Sequence, residues 1–152
     1  MDFYYFGGFI GDQQVTRIED HKFAGILFTY DNTQGDFFTR VARDIDLNKK
    51  IKYMIAIRPY AISPQYLAMI AQSMNMIMPK RLQINLISGH IKPHEKNIGG
   101  ILGDVNDLSS NIDKSNYLIE YLKELDKMKK NNPQYSLPDY YVSTSNEYVF
   151  DI

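Results

Sequence analysis

Apolar residues in this chain fall into short continuous runs separated by segments with helical spacing. Residues 3–10 form an aromatic-rich run bounded by glycine and aspartate, which predicts a fully buried strand of a parallel sheet. Val15 and Ile18 mark one weak helix, and residues 24–30 (AGILFTY) make a second buried run closed by Asp31 and Asn32. Phe37, Phe38, Val41, Ala42 and Ile45 recur at helical spacing behind the candidate caps Asp31 and Thr33, and Asn48 with two lysines ends that helix. Residues 51–57 (IKYMIAI) predict a third strand that stops at Arg58 and Pro59. Ser63 and Pro64 then supply the N-cap and first turn of a helix whose core face is Leu67, Ile70, Ala71, Met74, Ile77 and Met78, ended by Pro79. The same reasoning treats Met69, Met74, Met76 and Met78 as core filling.

Residues 82–87 (LQINLI) predict a fourth strand, with Leu82, Ile84 and Leu86 on one face and Gln83 and Asn85 on the other. A polar face on a buried strand needs polar company. The connection over residues 88–111 is longer than the roughly 12 to 15 residues usual for structureless loops in compact domains, which points to a functional loop. Leu118, Tyr121, Leu122, Leu125 and Met128 mark another helix, with Lys127, Lys129 and Lys130 at its solvated end. Residues 139–142 read as a fifth strand, and residues 143–146 as the cap of a further helix.

Strands alternating with helices imply right-handed crossovers and a parallel sheet. Two architectures use that alternation: an open doubly wound sheet, and an eight-stranded barrel whose complete form takes about 250 residues. At 152 residues the expectation is α/β, a partial or truncated TIM (β/α) barrel with about five parallel strands. It is read as a single domain over residues 1–152, incomplete on its C-terminal side, and expected to hide its open sheet edges as a homo-oligomer.

Composition narrows the function. Seventeen Lys and Arg against eighteen Asp and Glu leave a net charge of -1, with no basic stripe for nucleic acid. The absence of cysteine excludes a thiol nucleophile, a thiolate metal site and a disulfide scaffold, so redox chemistry would require a cofactor. The apolar opening lacks a basic n-region and meets Asp12 well short of the roughly 20 residues of a membrane span, so no membrane association and a cytoplasmic location are expected.

The segment over residues 51–89 resembles the luciferase-like flavin-dependent monooxygenases, especially the alkanesulfonate monooxygenase branch. The matching pieces are Ala56, Arg58 and Pro59 ending a strand, Ser63 and Pro64 capping a helix, and Arg81, Asn85, Ser88 and Gly89 around the next strand. Weaker similarity spreads over residues 23–125. The resemblance implies a barrel that holds reduced flavin mononucleotide (FMN) at its strand ends, or a deazaflavin, receives it from a partner flavin reductase, and oxidises a small organic substrate with molecular oxygen. Carried over by position, Asn85, Ser88 and Gly89 would lie beside the flavin ring and ribityl chain, and Ser143, Thr144 and Ser145 would hold its phosphate at a helix start. The strand-end position of Arg58 suits an anionic group of substrate or flavin, His90 just beyond the flavin strand suits a general base, and Tyr30 suits a pocket wall. Lys114 and Ser115 stand where the family has Arg-Tyr, Gln34 where it has Cys, and Val142 and Ser143 where it has two glycines. These departures motivate a second reading, a non-catalytic flavin-binding or scaffold protein of the same fold.

A third reading is an open-sheet nucleotide binder, prompted by FGGFIG at residues 6–11 with Asp31 twenty residues beyond Gly11. Phe6 occupies the position of the first glycine of that fingerprint. His90, His94 and Glu95 do not form a helical metal motif, because Pro93 interrupts it, and no metal is expected.

Overall fold

The computed structural model describes residues 2–7, 12–30, 35–88, 111–134 and 136–143. Along them run β1 (Tyr4–Gly7), α1 (Asp12–Arg17), a 3-10 turn (Ile18–His21), β2 (Gly25–Phe28), α2 (Phe37–Asp44), β3 (Lys52–Ile57), a 3-10 turn (Pro59–Ala61), α3 (Pro64–Ile77), β4 (Leu82–Ile87), α4 (Asn111–Asn131) and β5 (Asp139–Ser143). The expected alternation is therefore present. Among the described residues the strands form one sheet in the order β1-β2-β3-β4-β5, every neighbouring pair parallel.

This order has no reversal, and right-handed crossovers of a consecutive parallel sheet carry every helix to one side. The core shows it. Ile26, Phe28, Tyr53, Ile55, Ile57, Leu82, Ile84 and Leu86 alternate along their strands and all enter one buried cluster with α1, α2, α3 and α4. Phe28 stacks on Phe37 of α2 at 5.1 Å between ring centroids and on Tyr53 of β3 at 6.4 Å. The opposite side chains, among them Tyr4, Lys52, Gln83, Asn85, Tyr141 and Ser143, share the face away from that cluster.

That second face is concave. The Tyr4 hydroxyl donates to Gln83 Oε1, although β2 and β3 lie between their strands. A flat sheet would hold β1 and β4 about 14 Å apart, three strand spacings. Curling toward the helix-free side brings the two side chains together. Gly25 on β2 makes room for this, since a Cβ there would lie 2.2 Å from the Lys52 carbonyl oxygen and 2.9 Å from Tyr4 Cε1.

Under the sheet, at the N-terminal ends of β3 and β4, Asn48 and Arg81 form a knot. Asn48 Nδ2 donates to the Val15 carbonyl, and its Oδ1 accepts from the amides of Lys50 and Ile51. Arg81 donates to the Ile51 and Asn48 carbonyls and lies 5.4 Å over the Tyr53 ring. Beside it the fully buried Asp44 carboxylate meets Arg43 and Arg40, and its carbonyl accepts from Tyr53 Oη.

Several expectations are corrected. β1 begins at Tyr4 and, among the described residues, lies at the edge of the sheet; it is not fully buried, since Phe6 is 71% exposed on the concave side. The cap of α2 is Asp36, which accepts from the amides of Phe38 and Thr39, and not Asp31 or Thr33; Gly35 at φ +79 turns the chain into that helix. On α3 the buried stripe is Leu67, Ala68, Ala71 and Met74, and Ile77 is 56% exposed because it sits about 100° round the helix from the stripe's centre. Met74 and Met78 fill the core as expected, whereas Met69 and Met76 face solvent. The helix expected from residue 143 onward lies outside the described residues. No helix among them is long and apolar enough to cross a membrane.

Ile77→Asp is expected to shift urea-melt stability by no more than about 0.5 kcal/mol, and Leu67→Asp to abolish folding, which circular dichroism would report. Asn48→Ala strands the Val15 carbonyl and two amides, so its unfolding free energy should fall by about 2 to 3 kcal/mol in a denaturant melt.

Candidate functional site

The C-terminal ends of parallel strands are where such sheets gather their chemistry. Here β3 ends at Ile57, and the next residue, Arg58, is 5% exposed. Its guanidinium lies 5.2 Å over the Tyr30 ring, just past β2, and 5.8 Å over the Tyr60 ring in the following turn. A planar cation between two electron-rich ring faces gains from both, and it holds those rings in place. The Asp36 carboxylate accepts from the amides of Phe38 and Thr39. Asp31 lies outside the described residues.

Asn85 and Ser143 meet on the concave face. β4 and β5 place Asn85 opposite Tyr141, and Ser143 Oγ donates to Asn85 Oδ1 at 2.8 Å. On the other flank, Asn85 is opposite Ala56 of β3, whose small side chain leaves room over the strand. Asn85 is 8% exposed, and among the described residues no acceptor takes its Nδ2 hydrogens. Ser143 orients the amide, which then presents two donors from a fixed position.

One layer lower, Gln83 links three strands. It accepts from Tyr4 and donates through Nε2 to Tyr141 Oη at 2.9 Å, so both ends of its amide are used. Lys52 reaches Asp2 at 3.2 Å beside them. Burial pushes the Tyr4 hydroxyl above its ordinary pKa despite the nearby Lys52 and Gln83. This row was missed in part by sequence reasoning. Gln83 stands out as a polar position on an apolar strand, but Tyr4 and Tyr141 read as ordinary strand aromatics until curvature joins them.

A cavity of about 560 Å³ opens on the other side of β3, between α2 and α3. Phe37, Phe38, Ile55, Ile57, Ile62 and Ile70 give it apolar walls, and Tyr30 lines it as well. The expected pocket role of Tyr30 thus has a cavity beside it, while Arg58 covers that same ring. Ser88 follows β4 half-buried. Gly89, His90, Thr144 and Ser145 lie outside the described residues. The structure brings together Tyr30 with Arg58, and Asn85 with Ser143. No known family model matches the chain.

Burial also raises the pKa values of Tyr53, Tyr121 and Tyr140 above the ordinary 10.0. Above about pH 10 the unfolded chain loses these phenolic protons while the folded one keeps them, so folding stability present below that pH declines as pH rises toward the raised values. The urea midpoint should be lower at about pH 11 than at about pH 8, and a flat midpoint would contradict the burial of these hydroxyls.

Proposed function

We propose that the chain is the N-terminal portion of a luciferase-type (β/α) barrel, and that it takes part in a flavin-dependent monooxygenation of a small organic substrate. The observation that carries the barrel reading is the Tyr4–Gln83 hydrogen bond across the concave face of a consecutively ordered parallel sheet. Doubly wound sheets bind dinucleotides where the strand order reverses, and this order does not reverse, which favours the barrel over the open-sheet reading.

The donor set fits a flavin. Asn85 offers an amide NH₂ at the strand end, Ser143 fixes its orientation, and Ala56 leaves space beside it. In the proposed mechanism Asn85 would donate to the flavin ring, and Ser88 and Gly89 would lie along the ribityl chain. Thr144 and Ser145 would hold the phosphate; the Ser143 hydroxyl hydrogen is already committed to Asn85, so Ser143 serves as its orienting partner instead. His90 is the candidate for moving a proton. When bound, reduced FMN would supply the two electrons that let one atom of dioxygen enter the substrate and the other leave as water, whereas a deazaflavin in the same place would supply hydride and not activate oxygen. The reduced cofactor would come from a partner reductase. Arg58 enters as a positioning residue: its guanidinium holds Tyr30 and Tyr60 and is nearly closed off from solvent. Cytoplasmic location and homo-oligomeric association complete the proposal.

Titration of the full chain with FMN, followed by flavin fluorescence, tests this reading. Saturable binding is expected, and Asn85→Ala should weaken it by about 1 to 3 kcal/mol. Unchanged affinity in that variant would remove Asn85 from the site, and binding of a dinucleotide without FMN would overturn the flavin reading. Flavin binding without oxidation of any substrate, once reductase and oxygen are supplied, would favour the non-catalytic scaffold.

A further inference from the structure

The cavity between α2 and α3 is built mainly from the side of β3 opposite Asn85, with Ala56 of the other parity also in its lining. Ile55 and Ile57 share the helix-side face with Phe28 and the core, and they form part of its wall. Phe37 and Phe38 approach from the first turn of α2, and Ile70 from α3. Gly35, Asp36, Ser63 and Tyr66 make an exposed rim. At about 560 Å³ the space lies inside the range of roughly 300 to 1,000 Å³ typical of small-molecule sites.

The wall also states what charge it accepts. None of the described lining residues is a cation, and the single carboxylate, Asp36, is committed to the amides of Phe38 and Thr39 as the cap of α2. An anion entering here would be desolvated beside Asp36, with the Arg58 guanidinium behind Tyr30 already packed on two rings. A cation would exchange its hydration for phenyl and sec-butyl surface, with the Tyr30 ring already covered by Arg58 and the Asp36 carboxylate already bonded. Ser63 Oγ accepts from the Tyr66 amide and keeps its own hydrogen to donate to a neutral ligand.

We propose that this cavity is a binding site for an uncharged, predominantly apolar small molecule, distinct from the flavin site on the concave face. The inference stands on the cavity and does not depend on the flavin reading.

The full chain is titrated with N-phenyl-1-naphthylamine, an uncharged apolar fluorophore, and in parallel with the anionic 1-anilinonaphthalene-8-sulfonate. Saturable binding of the neutral probe is expected, with the anion bound roughly ten-fold or more weakly. Ile70→Trp fills the cavity from α3 and Ala61→Phe fills it from the turn after β3; each is expected to abolish neutral-probe binding with circular dichroism unchanged. Ile77→Trp, on the solvent side of α3, is expected to leave it intact. FMN should not displace the probe, and the filled variants should keep whatever FMN affinity the parent has. The proposal is overturned if the folded parent binds no neutral probe, if a folded filled variant binds it as the parent does, if the anion binds equally well, or if FMN competes for the site.

Discussion

A parallel sheet wound in one direction sends all its helices to one side, and the other side must satisfy its polar groups without them. That constraint organises the molecule. On the helix side the strands contribute Ile, Leu, Phe and Tyr to a single core. On the concave side the polar residues of β4 find partners across the sheet: Gln83 spans Tyr4 and Tyr141, and Asn85 receives Ser143. Each bond joins strands that are not neighbours or binds an edge strand inward, so polar satisfaction and curvature are one geometric fact. Gly25 belongs to it, because a side chain there would collide with the β3 backbone and with the Tyr4 ring.

Arginines mark both ends of this sheet. Arg81 sits over Tyr53 at the N-terminal end of the strands, and Arg58 sits over Tyr30 and Tyr60 at the C-terminal end. Arg40 lies over Phe28 on α2. A guanidinium is planar and weakly hydrated, so it can cover a ring at the margin of a core where an ammonium would be costly. At the lower end Arg81 also takes two carbonyls, which makes it part of the scaffold beneath the strands. The upper arginine is nearly closed off from solvent against its two tyrosine rings.

Much of this was legible in the amino-acid order. Each strand and major helix follows from a run or a period, and Ser63 with Pro64 caps α3 as their chemistry demands. Asn85 was recognisable because an amide on an apolar strand has to bond something. What escaped depends on distance in space. Nothing local in Tyr4 indicates that its hydroxyl meets a residue 79 positions later. Ile77 and Leu67 are equally apolar, so periodicity admitted both to one face, and only where the buried stripe of α3 is centred separates them. Asp36 displaced Asp31 and Thr33 as cap because Gly35 supplies the positive φ that starts the helix later. The cavity had no sequence signal, since its residues are the ordinary apolar members of three elements.

β3 is thus a partition. Residues of one parity, Tyr53, Ile55 and Ile57, look toward the helices, the two isoleucines lining the cavity, while Ala56 lies beside Asn85 in the sheet and also borders the cavity. The period of two along a strand is enough to give one segment two unlike surfaces, one suited to neutral apolar matter and one to a hydrogen-bonding ring system. Tyr30 and Arg58 close the end of that partition, the tyrosine facing the cavity and the arginine lying over its ring. The two sides differ in chemistry and meet at this end of β3.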